Sequence, residues 1–559
     1  MKALFTPYIY IYFLLGINLT FSQQLELKIA AKSNVNTAIL QSIKYKKTHN
    51  NKPSILLEID AIKEALSQKG YLKNELDSLY KKDSVYTAIF SLGLPFKDIS
   101  ISYKKTPNLS FIKEHALIYN DSTFTIAWKS IKPFLNSLVN AYENKGLPFT
   151  QIKLVNIHFK NDKAFASLEI SNTKQRTIDD IVIKGYTEFP QTFINHYLNL
   201  KTKSVFNSSK INIASERINN LNFVEEIKPP EILFAKNKTS LYLYLKKKQT
   251  NTFDGLLGFT SKKQGNGLLF NGYLDINLNN VFNKGETLAL LFKSNGNEQQ
   301  KLNLKASFPY AFKSKMTPAI NVNFYKQDTS FINVDANLEI QYPINYKSKI
   351  GLSLNQESST NLLTSTNTDI QSYNAFYLGL RYSYVTYNND ALFNEKFNFN
   401  IHVLKGTKNI GIVKENQTKI TLTTSYLWLL NYKNAIYIKN NSAILNTSNY
   451  VTNELFRIGG YNSIRGFNEE SIFATSYSIL NLEYRHKTSK TDYFYTVSGF
   501  GFYSNQLVTI NSNLYSFGLG YLFSTKTGLL NLSYVLGKVK TKDLKIGNAK
   551  FHVNFKVEF

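Results

Sequence analysis

The chain's seven histidines are the residues best suited to acid–base or metal chemistry. They stand scattered, at His49, His115, His158, His196, His402, His486 and His552. No two share ligand spacing and no H-E-x-x-H occurs, so no metal site is expected from them. The count of 0 Cys removes thiolate ligands, disulfides and a lipoprotein anchor together. There is no G-x-S-x-G elbow and no phosphate-binding Walker loop. Gly499-Phe500-Gly501 and Gly518-Leu519-Gly520 lie inside strand patterns, where they cradle no phosphate. These residues predict a protein that is not an enzyme and uses no cofactor. Its chemistry is then that of strand edges, charge pairs and surfaces.

The elements that carry such chemistry are clearest at the end of the chain. Phe551, Val553, Phe555, Val557 and Phe559 share one face of a strand, and His552, Asn554, Lys556 and Glu558 share the other. Unbroken period-two alternation ending on an aromatic is the pattern of an outer-membrane barrel strand, apolar toward lipid and polar toward a wet lumen. At the other end, Lys2 precedes an apolar run from Tyr8 to Phe21, interrupted by Gly16 and Asn18, with Thr20-Phe21-Ser22 as a cleavage site. This predicts a secretory leader over 1–22 rather than a membrane anchor. No later stretch is apolar for the length a membrane helix needs.

Composition adds less. The 66 Lys+Arg against 39 Asp+Glu give +27, but the charge is spread along the chain, and a leader makes nucleic acid an implausible partner. The basic faces suit anionic lipid headgroups, or reflect no partner at all. The 37 Tyr and 40 Phe suit the aromatic girdles of an outer-membrane barrel.

The chain changes period near residue 250. Before it, apolar stripes at helical spacing predict helices over Ser54–Gln68, Lys129–Lys145 and Ser209–Leu221, each flanked by strands. This gives three α+β units, over 23–95, 96–177 and 178–249. After it, alternating runs such as Leu268–Leu278, Phe397–Val403 and Leu480–Arg485 follow one another between Asn, Gly, Ser and Lys clusters. About sixteen strands over 250–559 predict an all-β antiparallel transmembrane barrel.

Between the eleventh and twelfth of these strands lies Asn446–Thr475, containing R-I-G-G-Y-N-S-I-R-G-F from Arg457 to Phe467. Gly459, Gly460, Ser463, Arg465, Gly466 and Phe467 in this setting resemble the sixth-extracellular-loop signature of the BamA/TamA superfamily, whose loop tip folds back into the lumen. The next strand carries N-L-E-Y-R, Asn481 to Arg485, which resembles the family's acidic partner strand. The front units resemble its periplasmic POTRA domains, the third most clearly in I-V-I-K-G, Ile181 to Gly185. Three units match the smaller TamA-like plan.

The resemblance implies that Arg465 pairs with Glu483 and pins the loop inside. Alternation along the strand places Glu483 on the lumenal face, where partial desolvation strengthens such a pair. A water-contacting lumenal arginine is the plainer reading. The family's usual second acid, in an acid-x-Gly pattern, is replaced by Gly499 in Val497-Ser498-Gly499-Phe500-Gly501. The first strand carries Gly255 and Gly258, which weaken it against the Phe551–Phe559 strand. The resemblance makes that junction a seam that opens toward lipid and templates a client strand. Accommodation of barrel curvature explains the same glycines.

The implied function is outer-membrane protein assembly or translocation. POTRA units would receive unfolded outer-membrane or secreted clients, and the seam would promote insertion beside outer-membrane lipids. A periplasmic or inner-membrane protein docking on the POTRA units is a further implied partner. The alternative is a two-partner-secretion transporter exporting one dedicated substrate. That reading expects a plug helix and only two POTRA units, whereas the first region here reads as a folded unit. A passive porin needs neither the loop nor the front units.

Overall fold

A computed structural model describes residues 24–33, 37–104, 109–160, 163–172, 174–261, 268–295, 299–363, 369–388, 390, 392–525, 528–539 and 549–558. The expected leader and the terminal Phe559 lie outside the described residues. The chain divides into two compact units, one of residues 1–177 with 205–208 and the other of the remainder.

The first unit holds two sheets. Leu25–Ala31 and Val85–Ser91 run parallel at the centre of a four-stranded sheet, flanked by Thr48–His49 and Glu75–Lys82. The helix Lys52–Gln68 covers it. Asn51 caps the helix by accepting from the Ser54 amide at 2.9 Å, and Pro53 suits its first turn. Ile55, Ile59, Ile62 and Leu66 form the buried stripe that the spacing predicts. The second sheet has five strands, with the helix Ile131–Asn144 burying Phe134 and Leu138 against it.

The second unit opens with a three-stranded sheet. Thr239–Lys247 lies between a parallel Asp180–Gly185 and an antiparallel Val224–Phe234, covered by the helix Ser208–Asn219 through Ile211, Ala214 and Ile218. The chain then enters a closed barrel of sixteen antiparallel strands. These are β1 (Thr252–Ser261), β2 (Leu268–Asn279), β3 (Thr287–Asn295), β4 (Gln300–Ser307), β5 (Thr317–Gln327), β6 (Phe331–Pro343), β7 (Ser348–Asn361) and β8 (Tyr373–Tyr387). They continue with β9 (Glu395–Ile410), β10 (Val413–Leu429), β11 (Asn434–Asn446), β12 (Ser476–Lys487), β13 (Tyr493–Asn505), β14 (Ile510–Ser524), β15 (Gly528–Val539) and β16 (Lys550–Glu558). Alternation sorts the two faces. On β12, Leu480, Leu482 and Tyr484 are exposed on the outer wall while Asn481 and Glu483 are buried inside.

The three-stranded sheet is fastened to the barrel's near end. The Tyr186 hydroxyl donates to Asn283 at 2.7 Å and accepts from Asn280 at 2.8 Å, both in the β2–β3 turn. Phe193 meets Tyr310 of the β4–β5 turn edge-on at 4.9 Å, and the Arg217 guanidinium lies 4.7 Å over Tyr346 of the β6–β7 turn. Gly285 lies so close under the Phe193 ring, with φ +71, that a Cβ there would collide with it. Burial pushes the Tyr310 hydroxyl up to about 12 and also raises that of Tyr186, so both stay neutral at ordinary pH.

Candidate functional site: a lumenal loop and the barrel seam

The segment between β11 and β12 turns into the barrel and crosses it. A short hairpin, Phe456–Ile458 with Ile472–Ala474, stiffens its stem, and the residues between form its tip. At the tip the Arg465 guanidinium donates to the Glu483 carboxylate of β12. The same carboxylate takes the Arg485 guanidinium, from Nε at 2.8 Å and from the terminal nitrogen at 2.7 Å. Among the described residues one acid thus serves two arginines. Arg485 stood in the sequence two residues from Glu483, and strand alternation puts both on the lumenal face.

Backbone geometry brings the tip this close. Gly459, Gly460 and Gly466 have φ of 113°, 91° and 87°, the region in which a side chain is strained. Gly466 packs against Gly537 of β15 backbone to backbone, with no room for a Cβ on either residue. Ser463 accepts from the Gly459 amide at 3.3 Å through its hydroxyl, and its carbonyl accepts from Asn481 at 3.0 Å. Phe467 packs on the cluster of Ile458, Ile464, Ile479 and Leu514. Gly499 pairs with Asn481 across β12 and β13. A Cβ there would collide with the Ser516 hydroxyl and lie 3.4 Å from Ile464 of the loop. A side chain at Gly499 would therefore require Ser516 and Ile464 to shift.

The tip also reaches the last strand. The Tyr461 hydroxyl accepts from Asn531 of β15 at 2.8 Å, and its ring lies 6.0 Å from His552 of β16. On the opposite limb, Glu469 pairs with Lys293 of β3 at 3.4 Å and Glu470 with Lys301 of β4. A cavity of 730 Å³ lies between tip and wall, lined among others by Tyr461, Glu469, Asp254, Asp275, His552 and Asn554.

A second anchor, which no local sequence pattern announces, sits at the loop's base. Glu454 takes Lys408 of β9 at 3.0 Å on both oxygens, Gln417 of β10 at 2.7 Å and the Val451 amide at 3.0 Å. Beside it Asn453, fully buried, donates to Ser359 of β7 at 2.6 Å and to the Gln371 carbonyl at 2.7 Å. Apart from Val451, these partners lie 37 to 94 residues away in sequence.

The seam is thinly paired. Among the described residues, Thr252 faces Glu558 and Phe253 faces Val557, two pairs against the ten between β1 and β2. Gly255 is paired with Leu274 and Gly258 with Asn271, both toward β2 and away from the seam. A Cβ on Gly255 would come within 3.2 Å of the Tyr273 carbonyl, so close packing gives this glycine a second reason. On β16, Phe551 and Val553 are exposed on the outer wall, and His552 and Asn554 face inward, half-buried. Asp254 bridges the gap, accepting from Tyr273 at 2.6 Å and from Asn554 of β16 at 3.3 Å. Among the described residues no group of three or more His, Asp or Glu is placed to hold a metal ion.

Comparisons with known proteins agree with this architecture. The profile of the haemolysin secretion/activation protein family ShlB/FhaC/HecB matches residues 266–497. The POTRA profile, described as surface antigen variable number repeat, matches residues 176–248. Among solved structures, CdiB from Acinetobacter baumannii is similar at 16% identity and a TM-score of 0.53, covering 91% of this chain and 98% of that one. CdiB from Escherichia coli is similar at 12% identity and a TM-score of 0.52, covering 93% and 98%. At these identities the likeness is one of fold. No curated protein matches the chain significantly. A sixteen-stranded barrel with a lumenal loop, preceded by a sheet that matches the POTRA profile, is the architecture in which this chain resembles the BamA/TamA superfamily of outer-membrane proteins.

Proposed function

We propose that the protein is a transporter of the two-partner-secretion type, exporting a dedicated protein substrate across the outer membrane. The observation that carries this reading is the match of the secretion/activation family over β2 to β13, a span that includes the whole lumenal loop. This match supports the alternative drawn from the sequence better than general assembly, its first expectation. The first sheet-and-helix unit still departs from the two-unit plan of such transporters, and we read it as an additional POTRA-like receiving unit.

In this reading the substrate arrives unfolded at the periplasmic units. The outer strands of the third unit's sheet, Asp180–Gly185 and Val224–Phe234, are suited to main-chain pairing that ignores sequence. The substrate then passes a lumen lined by amides, hydroxyls and ion pairs, with the Arg465–Glu483 contact holding the loop between transport events. No nucleotide is needed, because folding outside the cell draws the chain forward.

One observation favours seam-mediated insertion instead, namely the two-pair junction of β1 and β16. The two readings separate in liposomes carrying the purified protein. A urea-unfolded small barrel is added and its heat-modifiable folded band followed. The transporter reading predicts folding no faster than with empty liposomes. Acceleration by the wild type that is lost in Arg465→Ala would overturn it in favour of insertion.

A further inference from the structure

The β9–β10 hairpin turns at the end of the barrel opposite the β2–β3, β4–β5 and β6–β7 turns that hold the third periplasmic sheet. It therefore faces the medium. The apolar outer face of the two strands ends at the Val403–Ile420 pair. Beyond it the same face carries Lys405, Lys414 and Asn416, all exposed. Each arm thus continues past the apolar band for about 20 Å of strand.

The last part of this hairpin is paired on one side. β10 pairs with β9 as far as Val413, but with β11 only as far as Thr418, opposite Asn446. At the β10–β11 turn the Leu430 amide donates to the Asn434 carbonyl at 2.9 Å. Alternation along the ladder then aims the main-chain groups of even-numbered β10 residues at β11. Those of Lys414 and Asn416 point past its end, where among the described residues no strand pairs with them. The chain itself leaves this side open. After Asn446 it turns into the lumen, where the Thr447 hydroxyl, at 3.2 Å, and the Asn449 side-chain amide donate to the Glu415 carboxylate. At the hairpin's tip Ile412 is fully exposed and Val413 half-exposed. Lower on the same wall, Lys419 and Thr421 line a lumenal cavity of 410 Å³.

We propose that the Val413–Gln417 edge receives the exported polypeptide as it emerges, a strand of the substrate continuing the β10–β11 ladder outside the cell. Unpaired main chain at a sheet edge templates another strand whatever its sequence. The side chains narrow the choice to an extended segment with apolar residues for Ile412 and Val413 and an acidic one beside Lys414 and Lys405. A second copy of this chain is a poorer occupant, because edge-to-edge pairing would set the lysines of both copies on one face. A strand so paired does not slip back, and it gives the following residues an edge to fold on. This inference rests on the transporter reading.

Proline tests the edge selectively. In Asn416→Pro a donor on the open side is lost, while the bonds to β9, which run from odd-numbered residues, remain. Lys414→Pro is the second such variant. The chain has 0 Cys, so the thiol of Ile412→Cys takes a fluorescent donor at one position. The full chain is placed in liposomes, and its heat-modifiable band shows that the barrel is folded. The probe is an acceptor-labelled heptapeptide of alternating threonine and valine with one glutamate, beside a counterpart N-methylated at every residue. We expect saturable energy transfer with the plain peptide, and binding about tenfold weaker in either proline variant or with the N-methylated peptide. Equal transfer in both proline variants, or from the N-methylated peptide, would overturn the edge. Energy transfer between donor- and acceptor-labelled barrels without peptide would overturn the occupant in favour of a second copy. The transporter reading is judged apart, by export from cells. Edge binding with no extracellular protein missing keeps the docking site and removes the exporter, whereas full export by Asn416→Pro keeps the exporter and removes the edge from its path.

Discussion

The β9–β10 wall and the β1–β16 seam are built from the same alternating strands, yet they are held together differently. Fourteen residue pairs join β9 to β10, and the loop's base is buried against their lumenal face. Among the described residues two pairs join β1 to β16, assisted by the side-chain bridge from Asp254 to Asn554. Backbone pairing is the main cohesion of a barrel in lipid, where an unpaired amide has no water to turn to. Stiffness is therefore graded around the circumference. The loop spans that gradient, with its base on the firm side and its tip facing the soft one.

That contrast can be broken at either side. The largest effect is expected at the wall. Lys408→Met leaves Glu454 buried without its cation and should destabilise the barrel by about 3–5 kcal/mol, read as a lower urea midpoint in lipid. Arg465→Ala should cost less, about 1.5–3 kcal/mol, because Arg485 still holds Glu483. It should also expose the loop tip to added protease. At the seam, Asp254→Ala removes the acceptor of Tyr273 and Asn554, and about 1 kcal/mol is expected. Hydrogen exchange should rise at residues 252–255 and 550–554 while β9 and β10 keep their protection. If exchange at β9 and β10 rose equally, the barrel would be uniformly stiff and the contrast would fail. The smallest effect is expected at the joint with the third periplasmic unit. Tyr186→Phe loses the bonds to Asn280 and Asn283, roughly 0.5–1.5 kcal/mol. Faster proteolysis between that unit and the barrel would register it.

Much of this architecture is legible in sequence because it rests on short-range periodicity. Alternation in Phe551–Val557 and Leu480–Arg485 specifies which side chains face out, and the Ile55-Ile59-Ile62-Leu66 stripe specifies a helix face. The position of the loop between the eleventh and twelfth strands follows from counting such runs. What is not legible depends on closure. Lys408 and Glu454 are 46 residues apart on separate elements, and nothing in their neighbourhoods marks them as partners. The stagger of the barrel alone decides that they meet. The contacts of Tyr186, Phe193 and Arg217 with three different turns are hidden for the same reason. Arg485 is a different case. Its spacing from Glu483 was in view, and the reading that gave Glu483 to Arg465 alone left it out. At Gly499 the close approach of Ser516 and Ile464 is likewise set by the tertiary structure.

Dedicated export is tested most directly by comparing proteomes. Culture medium and outer membranes would be quantified from cells with the protein, cells without it, and cells carrying Arg465→Ala. For a dedicated exporter, one or a few extracellular proteins should disappear without the protein and accumulate in the periplasm, while the outer-membrane barrels keep their abundance. A general loss of outer-membrane barrels with an unchanged medium would contradict it and assign the seam, not the lumen, as the working path.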